Sequence, residues 1–301
     1  MKQLGEGMAN LASSRLARVI GYLVVVGLAL AAAFYLAAAL IPAPKIGIIE
    51  IRTGVDTLLA ERMANEINYV RDARDIKGVV LVINSPGGSA PAGSDIYYQL
   101  RSLRAEKPVV VSIDSLAASG AYQISVGANQ IYAKPSSIIG NVGVIFQQPS
   151  PGSLSEQLVT SGPFKESGGS STSYMQKLQL LYADFRDSVV NERLAAPNPL
   201  KLSPERLGSG EIWVGIEAKK YGLIDELGSR LDAIDAVARL AHLKKYQVVS
   251  VRDEYLASLE AEQAQTALKL YAALDSQPQF DLATTQDIKW PSFYQLYLPL
   301  E

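Results

Sequence analysis

Ser119 is the residue of this chain best placed for nucleophilic chemistry. It stands in "DSLAASGAYQIS", between a β-branched run that reads as a strand and a segment that reads as a helix. A hydroxyl there has two uses. It can cap the helix by accepting from orphan backbone N–H groups, or it can attack a carbonyl while the helix N-terminus stabilises the negative charge that develops. Ala117, Ala118, Gly120 and Ala121 are small enough for a substrate backbone to approach, which favours the second use. The nucleophile-elbow signature G-x-S-x-G is missing, because Ala117 and Ala121 hold the glycine positions.

A serine nucleophile needs a base, and the usual ones are scarce. The 301 residues include no cysteine and one histidine. Thiolate chemistry, disulfides, cysteine-bearing zinc sites and His-rich metal sites are thereby excluded, and no metal or cofactor is expected. His242, in "ARLAHLKKY", falls on a predicted helix, where histidines are usually structural or solvated. Lysine remains, and its pKa must drop from ~10.4 to ~7–8 by burial before it accepts a proton at neutral pH. Lys165, in the Gly/Ser-rich "GPFKESGG", is one candidate and Lys134, in "YAKPSS", its competitor. The stretch "NSPGGSAPAG" (Asn84 to Gly93) is a tight turn after a buried strand, and paired glycines can aim a backbone N–H at an oxyanion. It is neither a Walker A loop nor G-x-G-x-x-G, which argues against phosphate binding.

Alternating strands and helices must position these groups. "IGIIEI" (46–51), "GVVLVIN" (78–84) and "PVVVSID" (108–114) have the β-branched density of buried strands. Leu58, Leu59, Met63, Ile67 and Val70 recur at helical spacing, and further helices are predicted over 92–104, from Ser119 through Ala128, over 174–194, and up to His242. Short strands are expected at "QIYA", at "VGVIF" and at "QVVSV", with a strand, helix and turn over 210–229 and a helix over 253–274. This alternation predicts an α/β fold with a largely parallel sheet. The Ser-, Gly- and Pro-rich segment 147–173 is predicted as a long loop, a feature that is often functional.

The span Val19 to Ile41, "VIGYLVVVGLALAAAFYLAAALI", carries no charge over 23 residues. About 20 apolar residues cross the hydrocarbon of a bilayer as a helix, so a membrane anchor is expected. A cleaved signal is the alternative, given the Ala-rich end. Lys2, Arg15 and Arg18 before the span, against Lys45 and Arg52 after it, place residues 1–18 in the cytoplasm and the bulk of the chain on the other side. The expected location is the cell membrane, single-pass, with lipid contacted through the anchor. A net charge of −2 leaves no basic footprint, and no nucleic-acid partner is expected.

Four ordered stretches, "VVLVINSPGGS", "SLAASGAYQISVGANQIYAKPSSIIGNVGVI", "GPFKESG" and "WVGIEAKKYGLIDELGS", resemble the signal peptide peptidase A family of serine peptidases over Ile46 to Val249, about two thirds of the chain. The resemblance implies a Clp-protease/crotonase-like α/β fold, a repeated β-β-α superhelix, with a Ser/Lys dyad that hydrolyses membrane-derived peptides. By motif it makes Ser119 the nucleophile, Lys165 the general base, and the N–H groups of Gly88 and Gly120 the oxyanion hole. Asn141, in "GNVGV", replaces the serine common in the family and offers an acceptor oxygen that could orient the lysine. The implied organisation is a cytoplasmic 1–18, a transmembrane helix 19–41, a peptidase domain 46–249, and a C-terminal helix and tail 250–301 of unassigned role. The implied partners are apolar peptides such as signal-peptide remnants, and further copies of the chain in a ring that completes Ser119 with a neighbour's Lys165. A crotonase-like acyl-CoA enzyme and an inactive membrane scaffold of the same fold are the alternatives.

Overall fold

Two ten-residue strands rich in β-branched residues build the centre of the molecule: β2 (Ile76–Ser85) and β3 (Val109–Ala118). The computed structural model describes residues 18–33, 36, 43–147, 161–162, 164–165 and 167–275, with side chains up to 270. The remaining strands are β1 (Lys45–Ile51), β4 (Gln130–Ala133), β5 (Ile138–Gly140), β6 (Ile212–Val214), β7 (Glu226–Leu227) and β8 (Gln247–Ser250). They form one sheet of order β6-β5-β3-β2-β1-β8, with β4 beside β3 and β7 beside β4. Every pairing is parallel except that of β5 with β6.

Parallel strands require crossovers, and helices supply them: α1 (Thr57–Asp72), α2 (Ala90–Leu103), α3 (Gly120–Ser125), α4 (Ser171–Leu194), α5 (Pro204–Leu207), α6 (Gly215–Tyr221) and α7 (Arg230–Leu240). The described order holds one β-β-α run, β4-β5-α4. Because strand side chains alternate in direction, β1 to β3 divide their residues between two layers. Ile49, Ile51, Val79, Leu81, Ile83, Val109, Val111 and Ile113 join the cluster containing Leu59, Met63, Ile96 and Leu100 of α1 and α2. Ile46, Val80, Val82 and Val110 face Ala233, Ile234 and Val237 of α7. Each such side chain fully removed from water is worth about 1.5–3 kcal/mol before entropy is charged.

A buried ion pair fastens the end of α4. Arg193 and Asp225 are 2% and 3% exposed, with Arg193 Nη1 and Nη2 donating to Asp225 Oδ2 and Oδ1 at 3.0 and 2.9 Å. Arg193 also donates to Gly222 O and Asn198 O, and Asp225 accepts from Ile131 N and Asn198 N. Buried charges are tolerated when so fully bonded.

Several boundaries differ from expectation. The strand expected at Val142–Phe146 is absent; those residues have no regular structure, and the pairing partner of β3 is Ile138–Gly140 instead. The helix after Ser119 ends at Ser125 rather than Ala128, and α4 begins at Ser171. His242 lies beyond α7, not on it, at φ 55°. Leu243 N bonds Ala238 O and His242 N bonds Arg239 O, the Schellman pattern in which a left-handed residue closes a helix.

Residues 18–33 are helical, but among the described residues no helix is long and apolar enough to cross a membrane. Residues 34–35 and 37–41 of the expected anchor lie outside the described residues, as does most of the 147–173 loop. The chain divides into two units, Met1–Asp253 and Glu254–Glu301. α8 (Val251–Asp275) begins in the first and supplies the described part of the second.

Candidate active site

Ser119 occupies the junction of β3 and α3 with φ 53° and ψ −129°. An L-residue in such a conformation costs about 1–3 kcal/mol and persists only where its surroundings impose it. Here Ser119 N donates to Gly140 O at 2.9 Å, tying the turn to the end of β5, while Ser119 O accepts from Tyr122 N and Gln123 N to start the helix. The side chain makes no capping hydrogen bond. The capping use of the hydroxyl is therefore not the one adopted, and the strand, strained serine and helix form an elbow without its usual glycines. Ala117 and Ala121, fully buried, fill those positions.

Gly87 and Gly88 run alongside. Gly87 N donates to Ser85 Oγ, Gly87 O accepts from Val55 N at 2.9 Å, and Ser89 N donates to Val55 O at 2.7 Å. Those bonds turn the flanking groups toward Val55, and alternation along an extended backbone leaves Gly88 N–H pointing the other way. Among the described residues it has no acceptor. A Cβ on Gly87 would meet Gly120 N at 2.8 Å and Ser119 Cβ at 2.8 Å, and one on Gly120 would lie 3.6 Å from Gly88 N. Only bare backbone allows this approach. Gly120 N, at the first helical residue, is one of the donors a helix leaves unsatisfied. Two N–H groups thus flank the Ser119 side chain, the arrangement that stabilises a tetrahedral oxyanion.

These groups line a cavity of about 720 Å³ that contains Gly88, Ser119, Gly120, Gln123 and Asn141. Val144 and Ile145 border it, and α4 adds Leu181, Tyr182, Asp184 and Phe185. The contribution of α4 was not legible in the sequence; the Leu181/Phe185 spacing signals only an apolar helix face. Asn141 has φ 54°, a conformation Asn tolerates better than most residues. Its N donates to Glu211 O and its Nδ2 to Gly210 O at 2.9 Å, leaving Oδ1 as an acceptor.

Ser119, Gly88, Gly120 and Asn141 are therefore brought together, and Lys165 is not. Lys165 is exposed, its backbone N donating to Gly162 O at 3.2 Å, and it does not line the cavity. Lys134 pairs with Asp114 at 3.4 Å, away from Ser119, and His242 is exposed at its turn. Among the described residues that line the cavity there is no lysine or histidine. No cluster of described residues could hold a metal ion.

An elbow serine facing two backbone donors is the constellation of a serine hydrolase. Residues 101–244 match the model of peptidase family S49, and residues 43–154 that of Clp protease. Protease 4 of Salmonella typhi is 35% identical over 204 residues, 62% of this chain and 32% of that protein. The chloroplastic serine protease SPPA of Arabidopsis thaliana is 26% identical over 208 residues, 64% of this chain and 30% of that protein. The chain thus spans about a third of the length of these relatives. A mutant of the 1510-N membrane-bound stomatin-specific protease, solved with a substrate peptide, superposes with a TM-score of 0.48 at 15% identity, covering 66% of this chain and 81% of that one. Residues 101–244, just under half of the chain, are thus similar to peptidase family S49, and the relatives matched are named proteases.

Proposed function

We propose that the protein is a membrane-anchored serine endopeptidase in which Ser119 attacks the scissile carbonyl, Lys165 takes its proton, and Gly88 N–H and Gly120 N–H hold the oxyanion. The observation that carries this reading is the strained Ser119 turn, whose hydroxyl serves no cap and faces the cavity. Lys165 would then return the proton to the leaving amine, and water would release the acyl group by the reverse exchange. Asn141 Oδ1 is the acceptor that would orient the lysine.

The base comes from a neighbouring copy. A lysine acts as a general base only when desolvated, and Lys165 is exposed in the single chain, outside a cavity that has no lysine among its described lining residues. A closed ring of head-to-tail copies supplies both burial and approach. The apolar lining from Val144, Ile145, Leu181 and Phe185 favours apolar peptides, such as signal-peptide remnants near the bilayer.

The test is complementation. Ser119→Ala and Lys165→Ala chains, each inactive alone, are co-assembled in equal amounts and assayed on a fluorogenic apolar peptide. Random mixing leaves about a quarter of shared sites with both residues intact. A verified mixed assembly with no recovered activity rules out the shared site, and a Ser119→Ala protein with normal hydrolysis rules out the nucleophile.

A further inference from the structure

A second cavity, of about 730 Å³, opens at the carboxyl ends of β1 and β8 and shares no lining residue with the Ser119 cavity. Ile48, Leu59, Val248 and Val249 give it an apolar wall, and its charged groups are Arg52, Arg62, Arg230 and Arg252 against Glu50, Asp56 and Glu66. Most of these charges are engaged. Glu50 holds Arg52 and Arg230, and Asp56 Oδ1 caps α1 by accepting from Leu59 N.

Two groups are left with something to offer. Glu66 is 1% exposed; its Oε1 accepts from Arg62 Nη1 at 2.7 Å, while Arg62 Nη2 is spent on Glu50 O. Its Oε2 is the one buried side-chain atom among the described residues that lacks a hydrogen-bond partner. A buried carboxylate oxygen without a donor costs on the order of 1–3 kcal/mol, so the feature calls for an explanation. Arg252, exposed at the start of α8, makes no direct salt bridge among the described residues, though its charge is felt at Glu66. The cavity therefore presents an acceptor within and a cation at its rim.

The same cavity is bordered by an open sheet edge. β8 pairs only with β1, and Gln247 N is turned inward to Pro44 O. Alternation then directs the N–H and C=O of Val248 and the N–H of Ser250 outward, where an added strand can bond them, while the C=O of Ser250 is taken up by the first turn of α8. An occupant that satisfies all three features has an extended amide backbone, a donor N–H for Glu66, and an anion for Arg252.

We propose that this cavity binds the carboxy-terminal end of an extended peptide, laid along β8, its terminal carboxylate on Arg252 and a backbone N–H on Glu66. Such ends are what peptide-bond hydrolysis releases, so the source of the ligand rests on the peptidase reading, whereas the site does not. The loop involved is tied to the catalytic side: Thr53 and Asp56 line this cavity, and Val55 between them holds both neighbours of Gly88.

The experiment titrates Ser119→Ala protein with acetyl-Ala-Val-Ala-Leu as the free acid and as the carboxamide, following binding by calorimetry. The free acid is expected to bind about tenfold or more tightly than the amide, as loss of a charge-assisted contact predicts. Arg252→Gln should erase that preference; this exposed residue can be changed without disturbing the core. Glu66→Gln, which keeps an oxygen for Arg62 and sets an NH₂ against the ligand's N–H, should weaken both ligands. Equal binding of acid and amide, no binding, or undiminished acid binding by Arg252→Gln overturns the proposal; the last places the peptide in the Ser119 cavity. None of these results alters whether Ser119 reacts with a fluorophosphonate, which tests the peptidase reading separately.

Discussion

Replacing Ser119 by glycine should abolish hydrolysis and stabilise the fold, whereas replacing it by alanine should only abolish hydrolysis. At φ 53°, ψ −129° any side chain meets steric resistance worth about 1–3 kcal/mol, which glycine escapes. Glycine returns about 0.4–1 kcal/mol through the added entropy of the unfolded chain. The hydroxymethyl group is only partly buried and makes no capping bond, so little is lost with it. The difference is a stabilisation of about 1–2 kcal/mol relative to Ser119→Ala, or about 2–8 °C in melting temperature for a domain of this size. Differential scanning fluorimetry at one scan rate, with urea unfolding as a second measure, compares the two variants directly. A glycine variant that melts at or below the alanine variant would show that the turn stores no strain, and would remove the main physical reason for reading Ser119 as a functional position.

Asp225→Ala should destabilise the protein by about 3–5 kcal/mol, because it strands a 2%-exposed Arg193; urea unfolding measures this, and a change under 1 kcal/mol contradicts it. Burial raises the Glu66 carboxyl above its ordinary 4.5, against the opposing pull of Arg62 and Arg252. A raised carboxyl contributes stability below its unfolded pKa and loses it as pH rises through the folded value. Wild type should therefore lose stability relative to Glu66→Gln between pH 4 and neutrality, and parallel profiles would refute this. Lys134→Ala should leave peptide hydrolysis within about twofold of wild type, since its partner Asp114 is held also by Arg230 and exposed pairs are weak. Lys165→Ala should be as inactive as Ser119→Ala, because nucleophile and base act as a unit; the reverse pattern reassigns the base.

The central strands were legible because β2 and β3 are buried on both faces over 78–83 and 109–113, which read as apolar runs broken only by Ser112. Ser119 was legible for a related reason: small residues between such a run and a helix have few other uses. Positive-φ positions were harder to read. His242 looks helical by composition, yet it takes the left-handed place that closes α7, where glycine is the usual signal. The apolar run Val142–Phe146 reads as a strand, but Gly140 and Asn141, at φ 109° and 54°, end β5 before it. Val142 then goes to the core while Val144 and Ile145 line the cavity. The Arg193–Asp225 pair was illegible in principle, since 32 residues separate partners that only the folded sheet brings together.

The two halves of the proposed chemistry differ in how far one chain can fix them. Nucleophile and oxyanion donors are set by main chain alone: Gly140 O holds Ser119, Val55 holds both neighbours of Gly88, and any Cβ on Gly88 would strike Val55 O at 2.2 Å. Such positions are over-determined, and a single strained residue can be maintained there. The base has no comparable support. Lys165 lies on a turn whose bonds are local, Lys165 N to Gly162 O and Gly168 N to Phe164 O, and its side chain is exposed. A rigid acceptor site paired with an unsupported base is the division expected if the missing constraint comes from another copy. Assembly would then act as the switch for catalysis, since in the proposed site a lone chain supplies the nucleophile and the oxyanion donors, while among the described residues its cavity holds no lysine or histidine to take the proton.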